Sequence, residues 1–148
     1  MIEAFSQLGE RAVELPLAPL SVTFSDMSTP LRLRDLPRPN YTGGGILNLM
    51  ASIIRARGGR SAHRPLAGLE PARIRPYPKV ILLLLDGLGS NQLHRFVLAG
   101  GGKHFFGRHP WQKITTACPA TTAAVVTTLA TGAAPAEHGI LGWHLHLP

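Results

Sequence analysis

The sequence predicts an α/β protein built on a mainly parallel sheet, and two observations carry this prediction. Six apolar residues run without interruption from Val80 to Leu85, as expected of a strand that is buried on both faces. Helix-like and strand-like segments then alternate along the rest of the chain. This order is typical of parallel strands that are joined and covered by helices.

Each later segment carries its own signal. Residues 91–99 predict a short helix that ends at three consecutive glycines, and residues 112–117 predict a second strand. Residues 122–131 predict a helix that Gly132 closes, because glycine readily takes the left-handed conformation found after many helices. A third strand is expected to start at Ile140. The second half of the chain is therefore expected to alternate strands with helices.

The first half of the chain is more irregular. Five prolines interrupt residues 1–40, which predict one or two short strands, for example over residues 20–24. Residues 46–57 predict a helix, because five apolar side chains recur there at helical spacing and two glycines follow. A basic, proline-containing linker without a clear period comes next. We therefore divide the chain into a lead-in of residues 1–78 and an α/β part of residues 79–148.

Composition sets only broad limits on function. The 148 residues suit one modest domain, and 15 Lys and Arg against 8 Asp and Glu give a net charge of +7. Such a charge attracts anions of any kind, so it does not choose among partners. The single cysteine, Cys118, excludes an internal disulfide and a Cys-based zinc finger. No apolar run is long enough for a membrane helix, and the N-terminus lacks a secretory signal, so we expect a cytoplasmic protein without a membrane partner.

Asp86 is the first candidate site residue. It follows the apolar strand directly, and ligands of open α/β sheets bind beyond the carboxyl ends of the strands. The alternative is a turn, since Asp-Gly is a common turn pair. A dinucleotide fingerprint is disfavoured, because Gly87 and Gly89 are followed by Gln92 where a third glycine belongs. Position alone leaves a site and a turn equally open.

Two threonines form the second candidate. Thr121 and Thr122 stand where the helix of residues 122–131 begins, and free N–H groups there favour an anion or an activated hydroxyl. The simpler interpretation is a helix cap, which needs no chemistry. Cys118 is interpreted as a small buried residue rather than a reactive thiol. His144 and His146 have a spacing that a metal could use, but surface positions are the favoured interpretation.

Asp86 and Thr122 gain meaning from their flanking residues. Together these resemble the type I phosphodiesterase/nucleotide pyrophosphatase family of the alkaline phosphatase superfamily. In that pattern an apolar strand ends in Asp-Gly, and a Pro, a nucleophilic Thr or Ser, a Thr-Gly, a Pro and a His-Gly follow. The matching residues are Asp86–Gly87, Pro119, Thr122, Thr131–Gly132, Pro135 and His138–Gly139. Residues 39–54 also look like the lead-in of bacterial members.

The resemblance implies a fold, a reaction and a ligand. The fold would be part of an alkaline-phosphatase-like three-layer sandwich with a mainly parallel sheet. Asp86 would bind a divalent metal, one of two zinc ions in the full-length enzyme. Thr122 would be the catalytic nucleophile and would also contact metal. The substrate would be a small-molecule phosphoester, hydrolysed through a phospho-threonine, with no specific nucleic-acid partner and no other cofactor.

Two departures from the family pattern limit these expectations. Nucleotide-cleaving relatives often place an Asn soon after His-Gly, where this chain has Trp143. A two-metal site also needs six protein ligands, and no Asp follows Thr122 in this sequence. We therefore expect an N-terminal fragment, truncated on its C-terminal side, that is inactive alone and does not hold both metals. Whether it acts as an enzyme at all, and its oligomeric state, stay open; the alternative is a non-catalytic basic module that binds nucleic acid or another anion.

Overall fold

The computed structural model describes residues 2–3, 37–106, 109 and 111–145. Most of its regular structure is helical, and the predicted strand over residues 20–24 lies outside the described residues. The elements in chain order are β1 (Ile2–Glu3), α1 (Ile46–Ala56), α2 (Pro71–Ile74), β2 (Leu83–Leu84), α3 (Ser90–Leu98), α4 (Lys103–Phe106), α5 (Thr122–Thr131) and α6 (Pro135–His138). The three longer helices predicted from the sequence are confirmed, each to within one residue at either end.

Helix α1 lies at the centre of the described structure. Its apolar residues recur every three or four positions, so one face can be buried completely. Ile46 and Leu49 on that face are buried in a core that also takes in Ala117 and the partly buried Val125. The core therefore joins the lead-in to the second half of the chain across residue 78. The division of the chain at that residue stays a prediction from the sequence.

The segment of residues 60–78 is more than a linker. It contains the single-turn helix α2, and its side chains Leu66, Leu69 and Ile74 are buried against α1. These apolar residues follow no helical or strand period, which is why the sequence pattern did not reveal their burial. The segment is part of the core that supports the rest of the molecule.

Two arginines hold the segment of residues 60–78 in place: Arg55 in the last turn of α1 and Arg57 at its C-terminal cap. Arg55 Nη2 donates hydrogen bonds to the carbonyl oxygens of Ser61 and His63, each at 2.9 Å. Arg57 Nη2 donates to the carbonyl oxygens of Ile74 and Tyr77. Charge-assisted bonds of this kind satisfy carbonyls that an irregular segment would otherwise leave unpaired.

A buried amide ties α1 to the two segments beside it. Asn48 is fully buried, and its Oδ1 accepts a hydrogen bond from the N–H of Gly45 at 3.0 Å. Its Nδ2 donates to the carbonyl oxygens of Tyr41 and Arg64, at 2.8 and 2.9 Å. One side chain therefore fixes the turn before α1 and the segment that follows it.

The parallel sheet is not formed among the described residues. β2 pairs with β1 in antiparallel register, with Ile2 opposite Leu84 and Glu3 opposite Leu83. The predicted strand of residues 112–117 makes a single parallel bridge, from Thr115 to Gly45, and no strand starts at Ile140. The mainly parallel sheet expected from the sequence is thus not confirmed, and neither is the alkaline-phosphatase-like sandwich.

The exposure of side chains in the apolar run of residues 80–85 explains why no parallel sheet forms around it. Ile81 is 86% exposed and Leu83 is 55% exposed. A strand that is apolar on both faces needs neighbouring strands and helices that cover it on both sides. The described part of the chain supplies cover only for Leu82 and Leu84, which pack on the core. Among the described residues the apolar run therefore forms the two-residue strand β2, paired with the equally short antiparallel strand β1, and no parallel neighbour.

Across the part of the chain that the structure describes, every helix is too short or too polar to cross a membrane. The cellular location stays a prediction from the sequence.

Candidate active site

Asp86 and Thr122 meet in the structure. Asp86 follows β2, and the hydroxyl of Thr122 donates a hydrogen bond to its Oδ2 at 3.1 Å. The other carboxylate oxygen, Oδ1, accepts from the N–H of Gly87 at 2.9 Å. Gly87 has a φ of +72°, a conformation that favours glycine, and this turn directs the carboxylate towards α5. Two residues that the sequence proposed separately therefore form one contact.

The structure also distinguishes the two neighbouring threonines. Thr121 is the residue that caps α5: its Oγ1 accepts from the N–H of Ala124 at 3.2 Å and donates to the carbonyl oxygen of Leu141 at 2.7 Å. Thr122 is the first residue of the helix, and its hydroxyl points to Asp86. The cap interpretation is thus correct for Thr121, while Thr122 has the hydroxyl that faces the carboxylate.

A cavity of about 640 Å³ opens beside this contact. Its lining includes Asp86 and Thr122 together with core side chains such as Leu49 and Leu69. Arg73 and Lys113 bring two cationic side chains to the same cavity. A space of this size, mostly apolar with a few polar groups, is typical of small-molecule sites.

Comparison with known proteins identifies the part of the chain that carries the contact. Residues 80–146 match the family model of type I phosphodiesterase / nucleotide pyrophosphatase. The resemblance predicted from the sequence is confirmed for this range, which includes both Asp86 and Thr122. No curated protein and no solved structure matches the chain. We call residues 80–146 the phosphodiesterase-like part.

This family is generally metal-dependent, so the donor atoms near Asp86 decide whether a metal fits. The described residues contain no group of three or more His, Cys, Asp or Glu side chains that could hold a metal ion. Zinc sites in proteins take four ligands, and here one carboxylate and one hydroxyl lie together. His144 is exposed, and His146 lies outside the described residues. The described donors do not fit the two zinc ions expected from the resemblance.

His138, which belongs to the family pattern, has a structural contact in the phosphodiesterase-like part. Its Nδ1 accepts a hydrogen bond from the N–H of Ile140 at 3.0 Å, so Nε2 carries the proton of the neutral ring. Nε2 lies 3.1 Å from Oγ1 of Thr128, which is fully buried on α5. This bond joins α6 to α5, and both ring nitrogens are used.

Glu137 on α6 makes a second connection. Its Oε2 accepts from the N–H of Ala134 at 2.6 Å and lies 2.9 Å from Nε2 of His63. The Ala134 N–H, followed by His63, stabilises the carboxylate and lowers the pKa of Glu137 below its ordinary value of 4.5. Glu137 therefore links α6 to the segment of residues 60–78.

We expect Glu137 to make stability depend on pH below 4.5. Its pKa is lower in the folded chain than in the unfolded chain, so the stabilisation is present above 4.5 and is lost as pH falls through the folded value. Urea unfolding between pH 7 and pH 3 measures this. Glu137→Gln should reduce the loss of unfolding free energy that occurs as the pH falls below 4.5. His63→Gln should reduce that loss only in part, because the hydrogen bond from the Ala134 N–H remains. If Glu137→Gln loses as much unfolding free energy on acidification as the unsubstituted chain does, Glu137 is not the cause of the pH dependence.

Two positions differ from their sequence interpretations. Cys118 is exposed, so its interpretation as a buried small residue is wrong; its N–H donates to the hydroxyl of Tyr41 at 3.0 Å. Arg73 was not singled out by the sequence as a site residue, yet it lines the cavity. The sequence pattern around a basic residue in an aperiodic segment does not predict a site residue. Arg73 reaches the cavity because Leu66 and Leu69 of the same segment pack on α1.

Proposed function

We propose that the phosphodiesterase-like part carries the nucleophile of a phosphoester hydrolase that acts on a small-molecule phosphodiester, pyrophosphate or phosphomonoester. The observation that supports this most is the hydrogen bond from Thr122 to Asp86 at the N-terminus of α5, beside an open cavity. The family match over the same residues supplies the class of reaction.

The proposed chemistry follows from the two side chains. Asp86 accepts the hydroxyl hydrogen of Thr122, which leaves the oxygen lone pairs of Thr122 free to approach phosphorus. The Oγ1–P bond forms as the bond to the leaving alcohol or phosphate breaks, and the Thr122 proton passes by way of Asp86 to the leaving oxygen. Water then attacks phosphorus, the Oγ1–P bond breaks, and one proton of the water returns to Oγ1, which regenerates the hydroxyl. The free N–H groups of the first turn of α5 favour the phosphoryl oxygens, because the helix N-terminus carries partial positive charge.

Turnover by this route needs more than these two groups. In a generally metal-dependent family Asp86 would be a metal ligand, but the described donors do not complete such a site. We therefore propose that the 148-residue chain by itself is inactive and that further donors come from elsewhere in the functional protein.

The isolated chain, supplied with zinc, should hydrolyse bis(4-nitrophenyl) phosphate no faster than zinc buffer does. Isothermal titration should show no zinc binding tighter than that of the Asp86→Asn variant, because two donors hold zinc poorly. Zinc-dependent turnover that disappears in Thr122→Ala would overturn the proposed inactivity.

The function itself is tested on the native protein, tagged at its chromosomal locus so that any attached partner or further segment is retained. We expect metal-stimulated hydrolysis of an aryl phosphodiester, an aryl phosphomonoester or a dinucleoside pyrophosphate. Lack of activity on all three, with zinc, manganese and magnesium each supplied, would overturn the proposal.

The alternative of a basic binding module rested on the arginines of the first half. Three of them, Arg55, Arg57 and Arg73, donate hydrogen bonds to backbone carbonyls of residues 61–78. Their structural contacts account for part of the basic composition without an anionic partner. No contact in the described residues favours the binding module, which stays a prediction from the sequence.

A further inference from the structure

The chain returns from α6 to the end of α5 where Thr122 stands. After α6 the backbone turns at Gly139, whose φ of +74° favours glycine. Two residues later, the carbonyl oxygen of Leu141 accepts a hydrogen bond from the hydroxyl of Thr121 at 2.7 Å. Thr121 is the cap of α5 and the neighbour of the proposed nucleophile. The course of residues 139–141 therefore affects how the first turn of α5 is held.

His138 contacts both this returning stretch and the body of α5. Its Nδ1 accepts a hydrogen bond from the N–H of Ile140 at 3.0 Å, which holds the backbone just before Leu141. Its Nε2 lies 3.1 Å from Oγ1 of Thr128, which is fully buried further along α5. One imidazole ring is thus anchored on the helix and also shapes the stretch that reaches the N-terminus of that helix.

The Thr121 hydroxyl connects that stretch to Thr122. Its oxygen accepts from the N–H of Ala124 at 3.2 Å, and its hydrogen is donated to Leu141. If the Leu141 carbonyl moved away, the Thr121 hydroxyl could rotate, and the cap that orders the first turn of α5 would weaken. The hydroxyl of Thr122 in that turn would then no longer be fixed against Asp86.

We propose that His138 is a positioning residue for the Thr122 hydroxyl. It acts through the Leu141 carbonyl on the cap of α5, and its own side chain does not line the cavity. The effect on hydrolysis rests on the proposed function, whereas the effect on the orientation of Thr122 does not. A displaced nucleophile slows the chemical step without weakening substrate binding, so the expected signature is a lower kcat at a nearly unchanged KM.

Two substitutions separate the two ring nitrogens. His138→Asn keeps an oxygen near the place of Nδ1, which can accept from Ile140, but loses the bond to Thr128. His138→Gln keeps an amide nitrogen near the place of Nε2, which can donate to Thr128, but loses the acceptor for Ile140. In the native protein, His138→Gln should lower kcat by at least about tenfold with KM within about twofold, and His138→Asn should keep kcat within about threefold.

The stability of the two variants should follow the opposite order. His138→Asn leaves the buried hydroxyl of Thr128 without the ring nitrogen, so its melting temperature should be the lower of the two. A merely structural role would make kcat follow the melting temperature, and His138→Asn would then have the lower kcat. That order, or an equal kcat in the two variants, would overturn the proposal.

The orientation of Thr122 can be measured on the 148-residue chain without any turnover. Three-bond NMR couplings from the Thr122 methyl carbon to its own backbone nitrogen and carbonyl carbon report the χ1 angle of the side chain. We expect the values of a single rotamer in the unsubstituted chain and in His138→Asn, and averaged values in His138→Gln. Unchanged couplings in His138→Gln would contradict the positioning role.

The positioning role and the proposed function fail separately. Averaged Thr122 couplings in His138→Gln, together with a native protein that shows no Thr122-dependent hydrolysis, overturn the proposed function alone. Thr122-dependent hydrolysis with the same kcat in His138→Gln as in the unsubstituted protein, together with unchanged couplings, overturns the positioning role alone.

Discussion

Thr122→Ala is expected to lower the kcat of the native protein by at least about a thousandfold, because it removes the proposed nucleophile. The structure gives the physical reason for choosing this threonine. Its hydroxyl faces Asp86 at 3.1 Å, whereas the hydroxyl of Thr121 is used by the Ala124 N–H and the Leu141 carbonyl. Steady-state hydrolysis of an aryl phosphoester, with the metal that stimulates it, measures the effect.

Two variants control for the loss of a threonine from this helix. Thr127 lies on α5 as well, and its hydroxyl donates to the carbonyl oxygen of Ala123 at 2.8 Å, away from the cavity. Thr127→Ala should therefore keep kcat within about twofold, since no reacting group is lost. Thr122→Ser keeps a hydroxyl at the same position and should restore most of the activity that alanine loses. If Thr122→Ala and Thr127→Ala reduce kcat equally, Thr122 is not the nucleophile.

Asn48→Ala is expected to destabilise the chain by about 3 kcal/mol, at roughly 1 kcal/mol for each of three hydrogen bonds lost. The substitution leaves the N–H of Gly45 and the carbonyls of Tyr41 and Arg64 without their partner. For a chain of this length, such a loss should lower the melting temperature by about 6–12 °C. Thermal unfolding and urea unfolding of the isolated chain both measure it.

Asn91 provides the matched control for Asn48. It is exposed on α3, so Asn91→Ala should change stability by less than about 0.5 kcal/mol. Asn48→Asp is a second variant of nearly the same shape. It keeps an acceptor for Gly45 but sets a carboxylate against two carbonyls, so it should be no more stable than the alanine variant. An Asn48→Ala chain as stable as Asn91→Ala would show that the amide does not hold the turn and the segment together.

The helices and the family resemblance could be predicted from the sequence because their signals are local. The spacing of Ile46, Leu49 and Ile53 defines a buried face regardless of what covers it. Gly132 closes α5 in the left-handed conformation that its position after Thr131 predicts. The order of Asp86 and Thr122 within their flanking residues was sufficient to identify the phosphodiesterase-like part.

Other features depend on contacts between distant residues, which no local pattern reports. Leu66, Leu69 and Ile74 are buried by packing against α1, and Arg55 and Arg57 make hydrogen bonds to carbonyls of the same segment. The predicted parallel sheet is not confirmed among the described residues for a related reason. An apolar run predicts a strand, but a parallel sheet forms only where neighbouring strands are present, and the described residues do not supply them.

The sequence by itself determined where α1, α3 and α5 form, and its family resemblance predicted that Asp86 and Thr122 act together. Capping chemistry and apolar spacing act over a few residues, so they can be read along the chain. Only the tertiary structure decided that Thr121 is the cap and Thr122 the partner of Asp86. Each hydroxyl donates its hydrogen bond to a residue at least twenty positions away in the sequence. The tertiary structure also brought the buried side chains Ile46, Leu49, Leu66 and Leu69 to the cavity that Asp86 and Thr122 line, because packing brings together side chains that the sequence separates.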